Sequence, residues 1–401
     1  MTITTAASLK AAPAFAQTLG ADPGAIRAGA ILTIDLEAIV ANWRLLKRKG
    51  NGADCAAVLK ADAYGLGAER VGLALAEAGC TDFFVAHLDE GIALRKVLDE
   101  SCRINVLHGP MPGAEREFLC HRLRPVLNGL EQISAWSALA RQTGKVLPAV
   151  IQVDSGMARL GLSPQELAAV AATPSLLSGI AVELVMSHLS WAEVADHPAN
   201  DEALSRFRAA RALLPKAPAS FANSSGVFLG KDYHFDLLRP GAALYGINPQ
   251  PGWANPMASA VTLRGKIIQT REVPAGTAVG YNGRYVMHQP GRIATVGVGY
   301  ADGFLRCLGN KAVAGLRGHR VPIVGAVSMD LITLDLSGLP FVPEPGELVD
   351  LIGGAAASPD AVAQLAGTIG YEILTSLGGR YHRTYLGEMG SLQPTSLGEQ
   401  A

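Results

Sequence analysis

The chain has 401 residues, of which 49% are hydrophobic and 17% charged, with a formal net charge of -1. That length exceeds one small core and suits two domains, one of them near the size of an α/β barrel. A near-neutral balance without a Lys/Arg run argues against nucleic acid or a membrane as a partner, and no apolar run reaches the roughly 20 residues that cross a bilayer.

Five cysteines (Cys55, Cys80, Cys102, Cys120 and Cys307) are scattered and odd in number. Their spacing fits neither a disulfide framework nor a metal site, and a reducing cytoplasm is the expected compartment. Residues 1–28, rich in Ala, Thr and Pro, read as a flexible N-terminal extension. Its "APAFA" resembles a leader cleavage site, but no basic segment or continuous apolar core precedes it, so a secretory leader is not expected.

"ILTIDLEAI" then reads as a strand leading into a helix, and its strand at 31–36 is a candidate to join the later β region. Apolar β-rich runs follow at Cys55–Lys60, Phe83–His87, Ile104–His108, Arg124–Asn128, Ala149–Asp154, Val182–His188, Ala219–Asn223 and Phe235–Arg239. Helix-period segments such as "AERVGLALAEAG" separate them, as in a sheet of parallel strands with covering helices. An open doubly wound sheet is the alternative, but no G-x-G-x-x-G follows any strand. The expected fold class is α/β, a (β/α)8 TIM-type barrel over 29–258. From 259 to 401, short β runs between Gly and Pro turns predict a mostly β C-terminal domain, with one helical stretch at Asp360–Ala366.

In such a barrel the chemistry sits at the C-terminal ends of the strands. The first run ends on Lys60, followed by "YGLG"; a snorkelling surface lysine is the bland explanation, but a desolvated amine at this address has the position for a Schiff base. The ends of runs seven and eight, "ANSSG" and "RPGAALYG", offer the Ser224 hydroxyl and backbone N–H groups around Gly241 where this architecture binds phosphate. Arg239 would point into the barrel mouth, where a permanent cation could hold a pyridine nitrogen unprotonated. His188, ending run six, could stack on such a ring, bridge to Arg239, or be an ordinary core histidine.

"VLKADAYGLG", "VDSGMARLG", "MSHL", "FANSSG", "LRPGAALYGINP", "VGYNGRY", "VGYADGFLR", "GAVSMDL" and "GTIGYEI" occur in the order and spacing of pyridoxal-phosphate alanine racemases. The chain resembles that family over roughly residues 30 to 390. The resemblance implies pyridoxal 5'-phosphate as cofactor and interconversion of L- and D-alanine, with Lys60 and Tyr281 as two acid/base groups on opposite faces of the α-carbon. Racemisation needs two such groups, and a phenol with a reference pKa of about 10 requires help from a cation or hydrogen-bond network.

The resemblance further places Arg159 beside the cofactor and the substrate carboxylate, and the backbone of Met329 on that carboxylate with Asp330 supporting its loop. Tyr64, Tyr371, Ser224, Gly241 and Ala242 would hold the phosphate, His188 and Arg239 the ring, and Tyr300 and Arg306 would line the substrate entrance. It implies a head-to-tail homodimer in which the tyrosine and methionine segments serve the second subunit; a role in making D-alanine for peptidoglycan precursors and one in alanine breakdown are both left open by the sequence. Three positions depart from the pattern: Gln152 replaces a frequent lysine, Ser328 a frequent cysteine, and Trp191 with Glu193 stand where smaller residues and aspartate are usual. A same-fold racemase for serine, lysine or a broad amino-acid range is the alternative. A non-catalytic pyridoxal-phosphate barrel would lack the β domain, and a decarboxylase would place a cysteine and acidic groups where Tyr281 stands.

Overall fold

The computed structural model describes residues 22–387. They form two compact units, one of residues 35–260 with 385–387 and the other of 22–34 with 261–384.

In the first unit the strands are β2 (Asp54–Cys55), β3 (Ala57–Val58), β4 (Asp82–Val85), β5 (Arg103–Val106), β6 (Arg124–Leu127), β7 (Leu147–Gln152), β8 (Ile180–Met186), β9 (Ala219–Ser220) and β10 (Leu237–Leu238), β1 belonging to the other unit. β3 to β9 pair in parallel in chain order. The ring closes because β10 lies parallel to β2, with Leu237 opposite Asp54. Between β9 and β10, the Asp236 and Arg239 amides donate to the Ala219 and Ala222 carbonyls at 3.0 and 2.9 Å. This is the parallel α/β barrel that the alternation of apolar runs predicts. Both faces of its strands are covered, so Phe83, Phe84, Val126, Leu127, Val150 and Ile151 are fully buried.

The helix Leu36–Lys49 shows how the cover forms. Asp35 caps it by accepting from the Ala38 amide at 2.9 Å, and Ile39, Trp43 and Leu46 recur on its buried face. Trp43 also satisfies its indole by donating to the Cys55 carbonyl at 3.0 Å. Charged groups near the strand beginnings brace one another: the buried Arg124 donates to Asn105 and to the exposed Glu183, both at 2.6 Å, and to the buried Asp82 at 3.2 Å. That end of a barrel serves stability, which leaves the opposite end for chemistry.

The second unit holds β1 (Ala30–Asp35), β11 (Val261–Val273), β14 (Gly291–Val296), β15 (Val313–Leu316), β16 (His319–Val324), β17 (Ile332–Asp335), β18 (Leu348–Ile352) and β19 (His382–Leu386), in the sheet order β14-β17-β16-β15-β18-β11-β1-β19. A small hairpin, β12 (Ala278–Val279) with β13 (Tyr285–Val286), flanks it. Burial alternates along Val261–Ile267, the period-two signature of a strand with one covered face. A bulge between Ile267 and Gln269 interrupts the register with β14.

Two features here escape a reading of periodicity. A second helix, Gly370–Thr375, follows Pro359–Ala366, and its six residues are too few to show a period. Pro23–Arg27 also forms a helical turn within the stretch that composition marks as a loose arm; Asp22 caps it, and Lys266 holds the Ile26 carbonyl at 2.7 Å. Residues 1–21, the rest of that arm, lie outside the described residues.

Candidate active site

At the C-terminal rim of the barrel, the backbone after Lys60 turns left-handed. Ala61, Asp62, Ala63 and Tyr64 have φ of 53°, 55°, 52° and 58°. Each such residue costs about 1–2 kcal/mol for an L side chain, so a run of four needs external fixing. Asp62 supplies part of it: its carbonyl accepts from Leu66 and Gly67 at 2.8 and 2.9 Å, and its carboxylate caps the helix Ala68–Glu77 by accepting from the Ala68 amide at 2.7 Å. Glu90 supplies the rest, accepting from the Ala61 amide at 2.6 Å. The turn sends Tyr64 into the barrel, where its ring lies 4.8 Å from that of Tyr245. Tyr245 is itself anchored by donating to the Val58 carbonyl at 2.9 Å.

Burial pushes the Tyr64 phenol up to about 12, so at neutral pH it is a hydroxyl able to donate. Beside it, Ser224 Oγ accepts from the amides of Gly241 and Ala243 at 3.0 and 3.2 Å, knitting the loops after β9 and β10 together. Ala242 is buried within this cradle. A Cβ on Gly241 would overlap the Tyr64 hydroxyl and sit 3.1 Å from its Cζ and 3.3 Å from Val58 Cβ. Hydroxyls beside a glycine that leaves no room for a Cβ suit the close approach of a phosphate.

The cations gather at the same rim. Arg239 is buried, and its guanidinium donates to Ser220 Oγ and, at 2.5 Å, to the Ser187 carbonyl. Burial pushes it down to about 9, which leaves it cationic at neutral pH. His188 does not bridge to Arg239 by a hydrogen bond, because the guanidinium is directed to the two serines; the two interact through charge. Burial, reinforced by Arg239, Arg159 and Lys60, pushes His188 down to about 3. Burial and then Arg159 also lower the Lys60 amine, with Glu90 acting in the opposite direction.

Arg159 is exposed on a loop that Asp154 holds by accepting from the amides of Gly156, Met157 and Ala158 at 2.9, 2.9 and 3.0 Å. Gln152 reaches this loop by donating to the Leu160 carbonyl at 3.2 Å rather than by accepting from the Arg159 guanidinium. At the rim departure, Trp191 stacks on His197 with centroids 3.9 Å apart, and Asn200 holds the Val194 carbonyl at 3.0 Å.

The remaining candidates lie in the β unit. Tyr281 is 70% exposed and begins a 3-10 turn. It lines a cavity of about 390 Å³ with Gly280, Thr295, Ala326, Ser328, Leu331 and Thr333. Ser328 and Met329 are pinned by backbone bonds, their carbonyls accepting from Tyr300 and Ala301 at 3.0 Å each. Asp330 pairs with Arg380 at 2.7 Å, and the same guanidinium meets Asp302 at 2.6 Å. Tyr300 and Arg306 are exposed, and Tyr371 is half-buried on the helix Gly370–Thr375. The structure thus gathers Lys60, Tyr64, Arg159, His188, Ser224, Arg239, Gly241 and Ala242 at one barrel rim, and carries Tyr281, Tyr300, Arg306, Met329, Asp330 and Tyr371 on the other unit.

Sequence reasoning missed Glu90, Ser187, Ser220 and Tyr245. Glu90 had a usable signal, standing three residues past the strand-ending His87 in "HLDE", where an acid reaches back to the amides that open a helix. The serines had none, since nothing local marks the Ser220 hydroxyl or the Ser187 carbonyl as the partner of an arginine 19 or 52 residues away.

Residues 34–249 match the model of the alanine racemase N-terminal domain, and residues 260–385 that of the C-terminal domain. The chain is 51% identical over 361 residues to a catabolic alanine racemase of Mesorhizobium japonicum, covering 90% of this chain and 94% of that protein. It is 50% identical over 363 residues to an alanine racemase of Rhodospirillum rubrum, covering 90% and 97%. The crystal structure of alanine racemase from Bartonella henselae with covalently bound pyridoxal phosphate superposes with a TM-score of 0.86 at 42% identity, covering 90% of this chain and all of that one. Both domain models, long relatives at half identity and a shared fold lead to one conclusion: the chain belongs to the alanine racemase family of isomerases.

Proposed function

We propose that this chain is a pyridoxal-phosphate-dependent racemase interconverting L- and D-alanine, with Lys60 and Tyr281 as the proton-transfer groups on opposite faces of the substrate. The observation that carries the reading is the barrel rim, where an amine of lowered pKa, two arginines and a glycine-lined hydroxyl cradle converge. That donor set fits a phosphorylated, anionic cofactor. When bound, pyridoxal phosphate supplies an aldehyde for Lys60 and a conjugated ring that delocalises the electron pair left on the α-carbon.

Tyr64, Ser224 and the Gly241 and Ala242 backbone would hold the phosphate, with Tyr371 as a further hydroxyl. Arg239, fixed by Ser220 and Ser187, would serve as the donor to the pyridine nitrogen, and His188, kept neutral, would sit with the ring without adding charge. Arg159 and the Met329 amide orient the substrate carboxylate, with Asp330 supporting that loop; Tyr300 and Arg306 line the approach. Lys60 takes or returns the proton on one face of the α-carbon, its lowered pKa making the neutral amine accessible. Tyr281 does so on the other face and comes from a second copy of the chain in a head-to-tail homodimer.

A domain division at 28/29 and 258/259, a cytoplasmic location and a place in D-alanine supply for peptidoglycan precursors belong to the same reading. A serine, lysine or broader racemase is the alternative, and Trp191 and Glu193 are the departures that bear on substrate preference. Incubation with single enantiomers in deuterated water decides: L- and D-alanine each lose chirality and gain α-deuterium, with serine slower. Exchange with lysine and none with alanine would overturn the substrate assignment.

A further inference from the structure

We propose that Glu90 is a positioning residue for Lys60, clamping the peptide that follows the lysine and supplying the negative charge that balances the cations of the rim. The proposal rests on Lys60 being the reactive amine.

Glu90 Oε1 accepts from the Ala61 amide at 2.6 Å, while Oε2 accepts from the amides of Ala86 and His87 at 2.7 and 3.0 Å. One carboxylate thereby ties the end of β4 to the residue after Lys60. Ala61 is the first of the four left-handed residues, so the clamp acts where the strained turn begins. Without it the turn has a downhill path toward right-handed backbone, and the lysine ahead of it loses its fixed address.

The titratable groups linked to Lys60, directly or through His108, come from five elements. Glu90 opens the helix Leu88–Arg95, Arg159 stands on the loop after β7, His188 follows β8, and His108 follows β5. His87 follows β4, its ring meeting that of His108 edge-on with centroids 4.4 Å apart. Among the groups that shift the Lys60 amine, Arg159 opposes its charge and Glu90 favours it. A group that must accept a proton in one half-cycle and return it in the other needs both forms within reach, and an unopposed cationic rim would hold it neutral.

The test uses the full chain in three forms: wild type, Glu90→Gln, which removes the charge and leaves one acceptor, and Glu90→Asp, which keeps the charge but shortens the reach. Cofactor is stripped and re-added, the pH profile of covalent pyridoxal-phosphate attachment is read by absorbance, and borohydride trapping maps the attached residue. Hydrogen exchange over residues 61–66 reports the clamp. In Glu90→Gln the attachment midpoint moves to lower pH by about half a unit or more, and exchange over 61–66 quickens about tenfold. Glu90→Asp restores the midpoint but keeps the fast exchange.

An unchanged midpoint or unchanged exchange in Glu90→Gln overturns the proposal while trapping at Lys60 leaves the assignment of the amine intact. Trapping elsewhere overturns both. Should Glu90→Gln fail to fold, wild-type exchange in Glu90→Asp is by itself enough to overturn the clamp.

Discussion

Replacing Gly241 with alanine tests the phosphate cradle through a single methyl group. Its Cβ would overlap the Tyr64 hydroxyl and stand 3.1 Å from Tyr64 Cζ and 3.3 Å from Val58 Cβ, so something must move. Tyr64 has little room: it is 8% exposed, with the Tyr245 ring 4.8 Å away and that ring pinned through its hydroxyl to Val58. Overpacking of this kind costs about 1–3 kcal/mol, and in a chain of this size it lowers the melting temperature by about 1–4 °C. If Tyr64 is displaced, one charge-assisted hydrogen bond to phosphate goes with it, about 1.5–3 kcal/mol, or roughly ten- to hundredfold in cofactor affinity. Fluorescence titration of the stripped full chain with pyridoxal phosphate reads the affinity, and a thermal melt reads the packing. An alanine variant binding within about twofold of wild type and melting within about 1 °C of it would show that the glycine is not required and that the cradle is misassigned.

Other expectations follow from the same geometry. Lys60→Ala abolishes borohydride-trapped cofactor, whereas Tyr281→Phe keeps it and selectively slows α-proton exchange on L-alanine; normal exchange in Tyr281→Phe removes the two-group assignment. His188 titrates near 3 in the folded chain against about 6.5 unfolded, so the unfolded chain carries the extra proton between those values. Its contribution to stability is therefore complete above about pH 6.5 and lost as pH falls toward 3, and His188→Gln gives a shallower acid limb in denaturation followed against pH. Phe221 is fully buried and stacks on Phe207 at 4.9 Å, so Phe221→Ala costs about 3–5 kcal/mol in urea denaturation; a loss below about 1 would contradict that packing.

Much of the barrel was legible because each strand is an apolar run closed by a polar residue, and covered parallel strands have that local pattern. Lys60, Ser224 and Arg239 could be singled out for the same reason, since they stand where those runs end. Tyr281 and Met329 could not be read that way: both are exposed residues on turns, and resemblance to the family alone marked them. Glu90 carried a helix-start signal, but its bond to the Ala61 amide joins residues 29 apart and leaves no trace in either segment.

By itself the sequence determined the order of strands and helices and the side chains available at the strand ends, because periods of two and 3.6 residues and the backbone freedom of glycine act over a few neighbours. Tertiary structure alone decided that β10 returns beside β2, that four L-residues after Lys60 hold a left-handed turn, and that Arg239 is fixed by Ser220 and Ser187. Each of these depends on partners far apart along the chain, and the closed barrel supplies the stabilisation that an isolated turn or an unpaired buried cation lacks.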